Sequence, residues 1–415
     1  MADVLYVGGK VQLTTRVEST YGTDPGGSDD KMQLVSNLTQ TMKNNMLQLY
    51  TLGGGRSYKQ IIPGKFECSG SLEFDVQNGQ FMRFCLGGIS TATTTTTNFD
   101  GATITGTPTS ALKRYCVSES DALPSFTMQA VDQSDASATD IKTIYTGVKV
   151  NQLTLKADTE NPLHATVDWM AQKPLLSTGD YSALVPTGYN DVPFMFYRGQ
   201  LVMGLGTYGT NGTGTSNTLT DSTQNWTVNA YQTNWVLIDS LGAAFVISSN
   251  TATALTVVGT PTTGKYVVVP ISTVTANDVV ECNSVDMVLN QNLDPYWSIS
   301  NDTGRGTKFL IEKQREYSLT LDLNFTNTDQ YGRFLNGTTS GTSPTTTSDY
   351  TKFAVVVDYK TALADGDSYK ACKLCFTDVV IDEQSLPVTP KDILKQTVQM
   401  KAKNCIMFFI TNETM

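Results

Sequence analysis

The sequence predicts a mainly β chain: two tandem β-sandwich or barrel domains, each with a short flanking helix, and a small all-β domain inserted between the copies. Three observations carry this. Thr, Val, Tyr and Phe alternate with polar residues in short runs punctuated by Gly, Asn, Asp and Pro, and long helical periodicity is hard to find. Residues near 36–175 reappear after residue 280 with small changes in spacing. Between the copies, roughly 205–275, the composition changes and short apolar runs recur about every ten residues.

The number of domains follows from size and pattern. A chain of 415 residues exceeds the size at which one hydrophobic core stops growing. The expected boundaries are 1–180 for the first copy, 181–204 with 276–415 for the second, and 205–275 for the insert. The 29 basic and 39 acidic residues leave a net charge of -10, which opposes binding to nucleic-acid phosphates. Met1 to Val7 contains no basic segment leading into an apolar run, and nowhere do 18 apolar residues follow one another, so neither a signal peptide nor a membrane span is expected. Seven cysteines, an odd number, at 68, 85, 116, 282, 372, 375 and 405, suit free thiols in a reducing cytosol.

The internal similarity is strongest in the middle of each copy. Gly55, Arg56, Lys59, Ile62, Glu67, Ser69 and Leu72 meet Gly304, Arg305, Lys308, Ile311, Glu316, Ser318 and Leu321 at a constant shift of 249, and Glu73 meets Asp322. Upstream, a shift of 246 pairs Asn37, Asn44, Leu47 and Tyr50 with Asn283, Asn290, Leu293 and Tyr296. Downstream, Arg83, Phe84 and Gly87 match Arg333, Phe334 and Gly337; Tyr145, Lys149 and Asp158 match Tyr369, Lys373 and Asp382; Thr166-Val167 matches Thr397-Val398.

Within the repeated strand, Phe66, Cys68, Gly70, Leu72, Phe74 and Val76 point one way, while Glu67, Ser69, Ser71, Glu73 and Asp75 point the other. Its copy places Tyr317, Leu319, Leu321, Leu323 and Phe325 against Glu316, Ser318, Thr320, Asp322 and Asn324. One face is core and the other polar. A two-turn helix is expected around Phe81, Phe84 and Cys85, stopped by Gly87. In the insert, strands are expected at Trp235–Ile238, Ala244–Ile247, Leu255–Val258 and Tyr266–Val269, with Trp226 and Trp235 supplying core mass. The Thr/Ser/Gly-rich segments 90–97 and 338–348 are expected to be surface loops.

Catalytic constellations do not assemble. His164 is the only histidine, it sits in a strand-like alternation, and its counterpart in the other copy is not histidine. Cys372-Lys373-Leu374-Cys375 has CxxC spacing, but no second CxxC or His stands at ligand spacing, and the repeat aligns these cysteines with Val148 and Asn151. Gly53-Gly54-Gly55-Arg56 lacks the phosphate-loop pattern. The acidic residues on the polar strand faces read as a solvated surface rather than as a glycosidase pair. No enzyme activity, metal or cofactor is expected.

Several features in order resemble the major tail tube proteins of long-tailed bacteriophages and related viruses. They are Val17-Glu18-Ser19-Thr20-Tyr21-Gly22-Thr23-Asp24-Pro25, then Ile62-Pro63-Gly64-Lys65-Phe66-Glu67-Cys68-Ser69-Gly70-Ser71-Leu72-Glu73, then Asn78-Gly79 and the Phe-rich helix ending at Leu86-Gly87. The resemblance covers essentially the whole chain except the insert, which is similar to small β modules of phage structural proteins through Leu219-Thr220-Asp221-Ser222, Asn225-Trp226 and Ser249 to Thr256. Such modules decorate outer surfaces.

The resemblance implies a virion protein, made in the host cytoplasm, whose stacked rings form a hollow tail tube for DNA delivery. Two domains per chain imply three copies per pseudo-hexameric ring. Implied partners are further copies of the chain, tail terminator and tail-tip proteins, with the tape-measure protein and DNA passing through the lumen without specific binding, and no membrane. Alternation puts Glu67, Glu73, Asp75, Glu316 and Asp322 on polar strand faces, and the resemblance implies that these faces line the lumen. The segments 38–64 and 284–313 are implied to reach neighbours and stack rings, through Asn44, Asn45, Tyr50, Arg56, Asn290, Asn292, Tyr296 and Arg305. A host-adhesion protein, another tail-tip ring or a capsid-decoration protein is the competing expectation.

Overall fold

The computed structural model describes the chain outside residues 1–10, 27–33, 53–56, 109, 133–139, 180–191, 233–234, 271–279, 299–303, 337–338, 340–341, 345–351, 364–368, 389–393 and 413–414. The first half runs β1 (Val11–Val17), β2 (Leu34–Leu49), β3 (Gln60–Asp75), α1 (Arg83–Leu86), β4 (Gly87–Ile89), β5 (Thr93–Thr94), β6 (Lys113–Glu119), β7 (Phe126–Asp132), β8 (Asp140–Asp158), β9 (His164–Ala171) and β10 (Lys173–Gly179). After β11 (Gly199–Gly204) come β12 (Thr207–Thr215), β13 (Thr218–Thr220), β14 (Trp235–Ile238), β15 (Ala244–Asn250), β16 (Ala254–Val257) and β17 (Gly264–Pro270). The remainder is β18 (Cys282–Asn290), β19 (Asp294–Tyr296), β20 (Phe309–Ile311), β21 (Glu316–Asn324), α2 (Asp329–Asn336), β22 (Phe353–Lys360), β23 (Ala371–Ser385), β24 (Lys395–Ala402) and β25 (Asn404–Thr411). The fold is mainly β, as the alternating pattern predicts.

The polar/apolar alternation of β3 is realised residue by residue: Cys68, Leu72 and Phe74 are buried, while Glu67, Ser69, Ser71, Glu73 and Asp75 lie on the other face, half-exposed. Successive antiparallel pairings join eight strands in the spatial order β2, β3, β9, β8, β18, β21, β24, β23. The first four strands belong to the first half and the last four to the second. Strand β8 is long enough to serve two sheets, its first part pairing with β7 and β10 and its last part with β9 and β18. Strand β23 does the same with β22 and β25, then β24.

The registers of the two halves correspond. Leu72 faces Val167 as Leu321 faces Val398, and Thr146 faces Lys173 as Thr377 faces Asn404. A bulge interrupts the β7–β8 and β22–β23 ladders at matching places, and there Gly147 and Asp378 both adopt positive φ, 65° and 54°. The shift between β8 and β23 is therefore 231, not the 224 that Tyr145/Tyr369, Lys149/Lys373 and Asp158/Asp382 imply. Likewise Leu38 faces Leu72 as Val285 faces Leu321, so β2 and β18 are related by 247, one more than the paired asparagines imply.

Between the eight-stranded sheet and the second sheets lies one continuous core. It takes Leu72, Phe74, Leu153, Val167 and Trp169 from the first half and Met287, Leu319, Leu321, Val398 and Met400 from the second. Each large apolar side chain so buried contributes about 1.5–3 kcal/mol. Strands β22, β23 and β25 are buried on both faces: Val355, Leu374 and Met407 face this core, whereas Val356, Cys375 and Ile406 face a second one shared with Val236, Ile238, Val267 and Val269 of the insert. That is why Phe353 to Tyr359 reads as a nearly unbroken apolar run. The insert is a closed six-stranded barrel, with Leu219, Trp226, Leu255, Tyr266 and Val268 at its centre and Trp235 partly buried against them. It stands on the side of the molecule opposite the polar face of the eight-stranded sheet.

Helix α1 is a single turn closed by Gly87, whose φ of 97° lets its amide reach the Arg83 carbonyl. The Glu18 motif has a packing role. The buried carboxylate accepts from Ser125 Oγ at 2.7 Å, Thr127 Oγ1 at 2.9 Å, the Gly147 amide at 2.8 Å and the Gly22 amide at 2.9 Å, tying β1, β7 and the β8 bulge together.

Candidate functional site

The polar face of the eight-stranded sheet is built by cross-strand registry. One row runs Asp75, His164, Lys156, Asp286, Thr320, Gln399, Glu383. A neighbouring row runs Asn37, Glu73, Thr166, Thr154, Val288, Ser318, Lys401. At the two ends, Lys43 faces Glu67, Asn290 faces Glu316, and Asp158 faces Ser284, which faces Asp322. All five acidic residues predicted from alternation, Glu67, Glu73, Asp75, Glu316 and Asp322, therefore share one face. The registry adds Asp158, Asp168, Asp286 and Glu383, against Lys43, Lys156, Lys395 and Lys401, so the face is acidic overall. Alternation within β9 and β18 carried the signal for Asp168 and Asp286, but each stands alone in its strand.

Polar contacts hold these carboxylates. His164 Nδ1 lies 2.9 Å from Asp75 Oδ1, and Asp322 accepts from Thr397 Oγ1 at 2.8 Å and Ser284 Oγ at 3.2 Å. Partial burial pushes the Asp286 carboxyl up; Asp322 and Asp158 add to this and Lys156 opposes it. Burial acts the same way on Asp158, but the amides of Glu160 and Asn161 and the Asn161 side chain outweigh it and hold that carboxyl below its ordinary value. Such a face repels phosphates and offers them no built cradle.

Cys372 and Cys375 lie three residues apart in β23, so their side chains enter opposite cores. They cannot act as a pair. Burial pushes the Cys375 thiol up to about 12. Among the described residues no group of three His, Cys, Asp or Glu side chains forms a metal site.

The segments predicted to reach neighbours fall into two states. In the second half, residues 291–298 and 304–315 fold back on the first half. The Gln291 and Leu293 amides donate to Asn151 O and Oδ1 at 2.7 and 2.9 Å, Glu312 pairs with Lys149 at 2.5 Å, and Phe309 packs on Tyr21. Asn290 ends β18, and its Oδ1 accepts the Asn292 amide; Asn292 itself takes a φ of 49° and donates to Gln314 O. The Tyr296 carbonyl accepts the Lys308 amide across the β19–β20 pair.

In the first half the corresponding segment is a projecting hairpin. Asn45 Nδ2 reaches Lys65 O at 3.4 Å, and Tyr50 stacks edge-on with Tyr58 at 5.2 Å. Around them Met46, Leu47, Leu49, Leu52 and Ile61 are exposed. Arg305 Nη1 donates to Asn44 Oδ1 at 3.0 Å, so the two segments meet. Arg56 lies outside the described residues.

A β-rich protein with two like halves, an acidic sheet face and one projecting apolar hairpin is the class this geometry defines. The sequence matches the phage tail tube protein family over residues 8–400, and the chain belongs to that family. It is a structural component of the virion that assembles into a tube. No curated protein matches it. Among solved structures, the toluene transporter TodX of P. putida is similar at 7% identity over 92% of this chain and 88% of that one, with a TM-score of 0.09, too low to carry a structural argument. Among the described residues no helix is long and apolar enough to cross a membrane.

Proposed function

We propose that the chain is a tandemly duplicated tube protein, three copies of which close into a pseudo-hexameric ring. Rings stack into a hollow tube through which DNA reaches the host. The carrying observation is the junction inside the chain: β8, the last strand of the first four, pairs along seven residues with β18, the first strand of the second four. A unit that adds edge to edge onto its own duplicate can add onto the next chain, and closing the ring removes the open edges.

On this reading the polar face lines the lumen. Glu67, Glu73, Asp75, Glu316 and Asp322, with Asp168 and Asp286, let DNA and the tape-measure protein pass without sticking. The inserted barrel, on the opposite side, stands outside the tube. The hairpin carrying Asn44, Asn45 and Tyr50 reaches the neighbouring ring, and the tube ends meet tail terminator and tail-tip proteins. The chain works without enzymatic chemistry, and its place is the virion tail after synthesis in the host cytoplasm.

Negative-stain imaging of the purified chain tests this. Long hollow tubes are expected; isolated particles or closed shells under all assembly conditions contradict it.

A further inference from the structure

The internal junction is a template for the junction between chains. Strand β8 is flanked by β9 and β18, but the matching part of β23 pairs only with β24 among the described residues. Strand β18 is flanked by β8 and β21, but among the described residues its equivalent β2 pairs only with β3. One half thus ends in an open edge of the type that the other half fills.

Burial tells the same story. Leu289 is fully buried, and its equivalent Met42 is 49% exposed; Leu155 is fully buried, and its equivalent Leu386 is 38% exposed. Val388, which corresponds to the half-buried Ala157, is 76% exposed. The side-chain amide of Gln384, at the position of Leu153, has no partner for its buried nitrogen and oxygen. The second sheet shows the same asymmetry: Met407 of β25, whose strand is covered by β6, is buried, while its equivalent Leu176 in β10 is 73% exposed.

We infer that β2 of one chain docks antiparallel on the end of β23 of a second copy, in the register fixed by β8 and β18. Within the chain, Asn290 faces Gln152 and Val288 faces Thr154. Carrying each residue to its equivalent sets Lys43 against the second copy's Glu383, and Thr41 against its Ser385, on the polar face. Met42 then meets Gln384, and Gln40 meets Leu386, on the core face. The Lys–Glu pair is complementary, and opposite charges directly across antiparallel strands stabilise the pairing. Asn151, whose oxygens receive the Gln291 and Leu293 amides, becomes Asp382, still an acceptor. A second copy of this chain is the occupant because it carries the matching edge in the matching register.

This rests on the ring reading and is tested so that the two can fail separately. The double variant Thr41→Cys/Ser385→Cys places two thiols on directly opposed residues, at the spacing a disulfide bridges. The resident cysteines are all buried except Cys282, which is half-buried with its thiol pushed up to about 11, so background linking is low. Tubes assembled under reducing conditions and then oxidised should shift most of the chain from monomer to covalent multimers on a non-reducing gel. Either single variant should stay monomeric, as should the diagonal control Thr41→Cys/Glu383→Cys. Tubes whose double variant stays monomeric, or in which the diagonal pair links equally, overturn the register while leaving the ring standing. Efficient linking in open strings that never close into tubes upholds the register and overturns the ring.

Discussion

Strands β2 and β18 occupy the same place in the two halves and pair with equivalent partners in the same register, but among the described residues β18 has a neighbour on both sides and β2 on one. Its inward residues Val285, Met287 and Leu289 are buried, whereas almost all of β2 is exposed. The segments that follow them differ in the same way, since 291–298 and 304–315 are clamped onto the first half and the β2–β3 hairpin projects. The contrast locates the difference: Met42 stands exposed in the first half where its equivalent Leu289 is buried beneath a neighbouring strand in the second.

Truncating the same position in each copy should break that symmetry most visibly. Leu289→Ala removes a fully buried side chain and is expected to cost about 2–5 kcal/mol in denaturant unfolding. Met42→Ala should change the stability of the unassembled chain by less than about 1 kcal/mol, yet raise the concentration needed for tube formation. Equal effects of the two on the unassembled chain would show that β2 is already buried.

The bulges of β8 and β23 offer the next contrast. In the first half Glu18 supplies four acceptor contacts around Gly147, while in the second, among the described residues, Asp378 accepts from Asn404 Nδ2 at 3.2 Å. Glu18→Ala strands buried donors and should lower stability by about 3 kcal/mol; Asn404→Ala should cost about 1 kcal/mol or less, both read by chemical denaturation.

A buried ion network sharpens the comparison between the two cores. Lys373 lies 3.1 Å from Asp100 and 3.5 Å from Asp358, beneath the insert. Burial opposes the charge on Asp100, but Lys373 and Lys360 outweigh it and hold the carboxyl at about 2, below its ordinary 3.8. A depressed carboxylate stabilises the fold above its unfolded value, and that stability is lost as pH falls through the folded one. The network should therefore lose about 2 kcal/mol between roughly pH 4 and pH 2. Asp100→Asn should be less stable at neutral pH and show a flatter acid limb in pH-dependent melting.

The smallest effect on stability is expected on the sheet face. Reversing Glu73 and Asp168 to Lys should alter the melting of the unassembled chain little, within about 0.5 kcal/mol each. It should slow DNA release from assembled virions, most at low salt. Release that is unchanged at every salt concentration contradicts a lumenal position for this face.

How much of this the sequence shows depends on whether a strand has one wet face. In β3 and β21 strict alternation made both the faces and the five acidic residues readable, and the constant shift of 249 held. In β23 it did not: its first part is buried on both sides, so apolar residues run together, and chance identities such as Tyr145 with Tyr369 displaced the alignment by seven residues. The true correspondence rests on backbone shape, Gly147 and Asp378 sharing a positive φ without sharing a side chain. Asn37 and Asn283 misled by one residue because each lies at or beside a bulge. Four of the insert's six strands are readable from their spacing, but the Gly-rich run 204–214 reads as flexible where the structure has β12, β13 gives no signal, and closure of the barrel depends on β12 returning to β17. The edge partnership of β8 with β18 leaves no local sequence signal at all.

The rotational symmetry of one ring, measured by electron cryo-microscopy of assembled tubes, tests the central claim most directly. Three chains per ring are predicted, with strict three-fold symmetry, pseudo-six-fold density for the eight-stranded sheets, and a decorating barrel at only three of the six outer positions. A ring with true six-fold symmetry and a barrel at every position would contradict it.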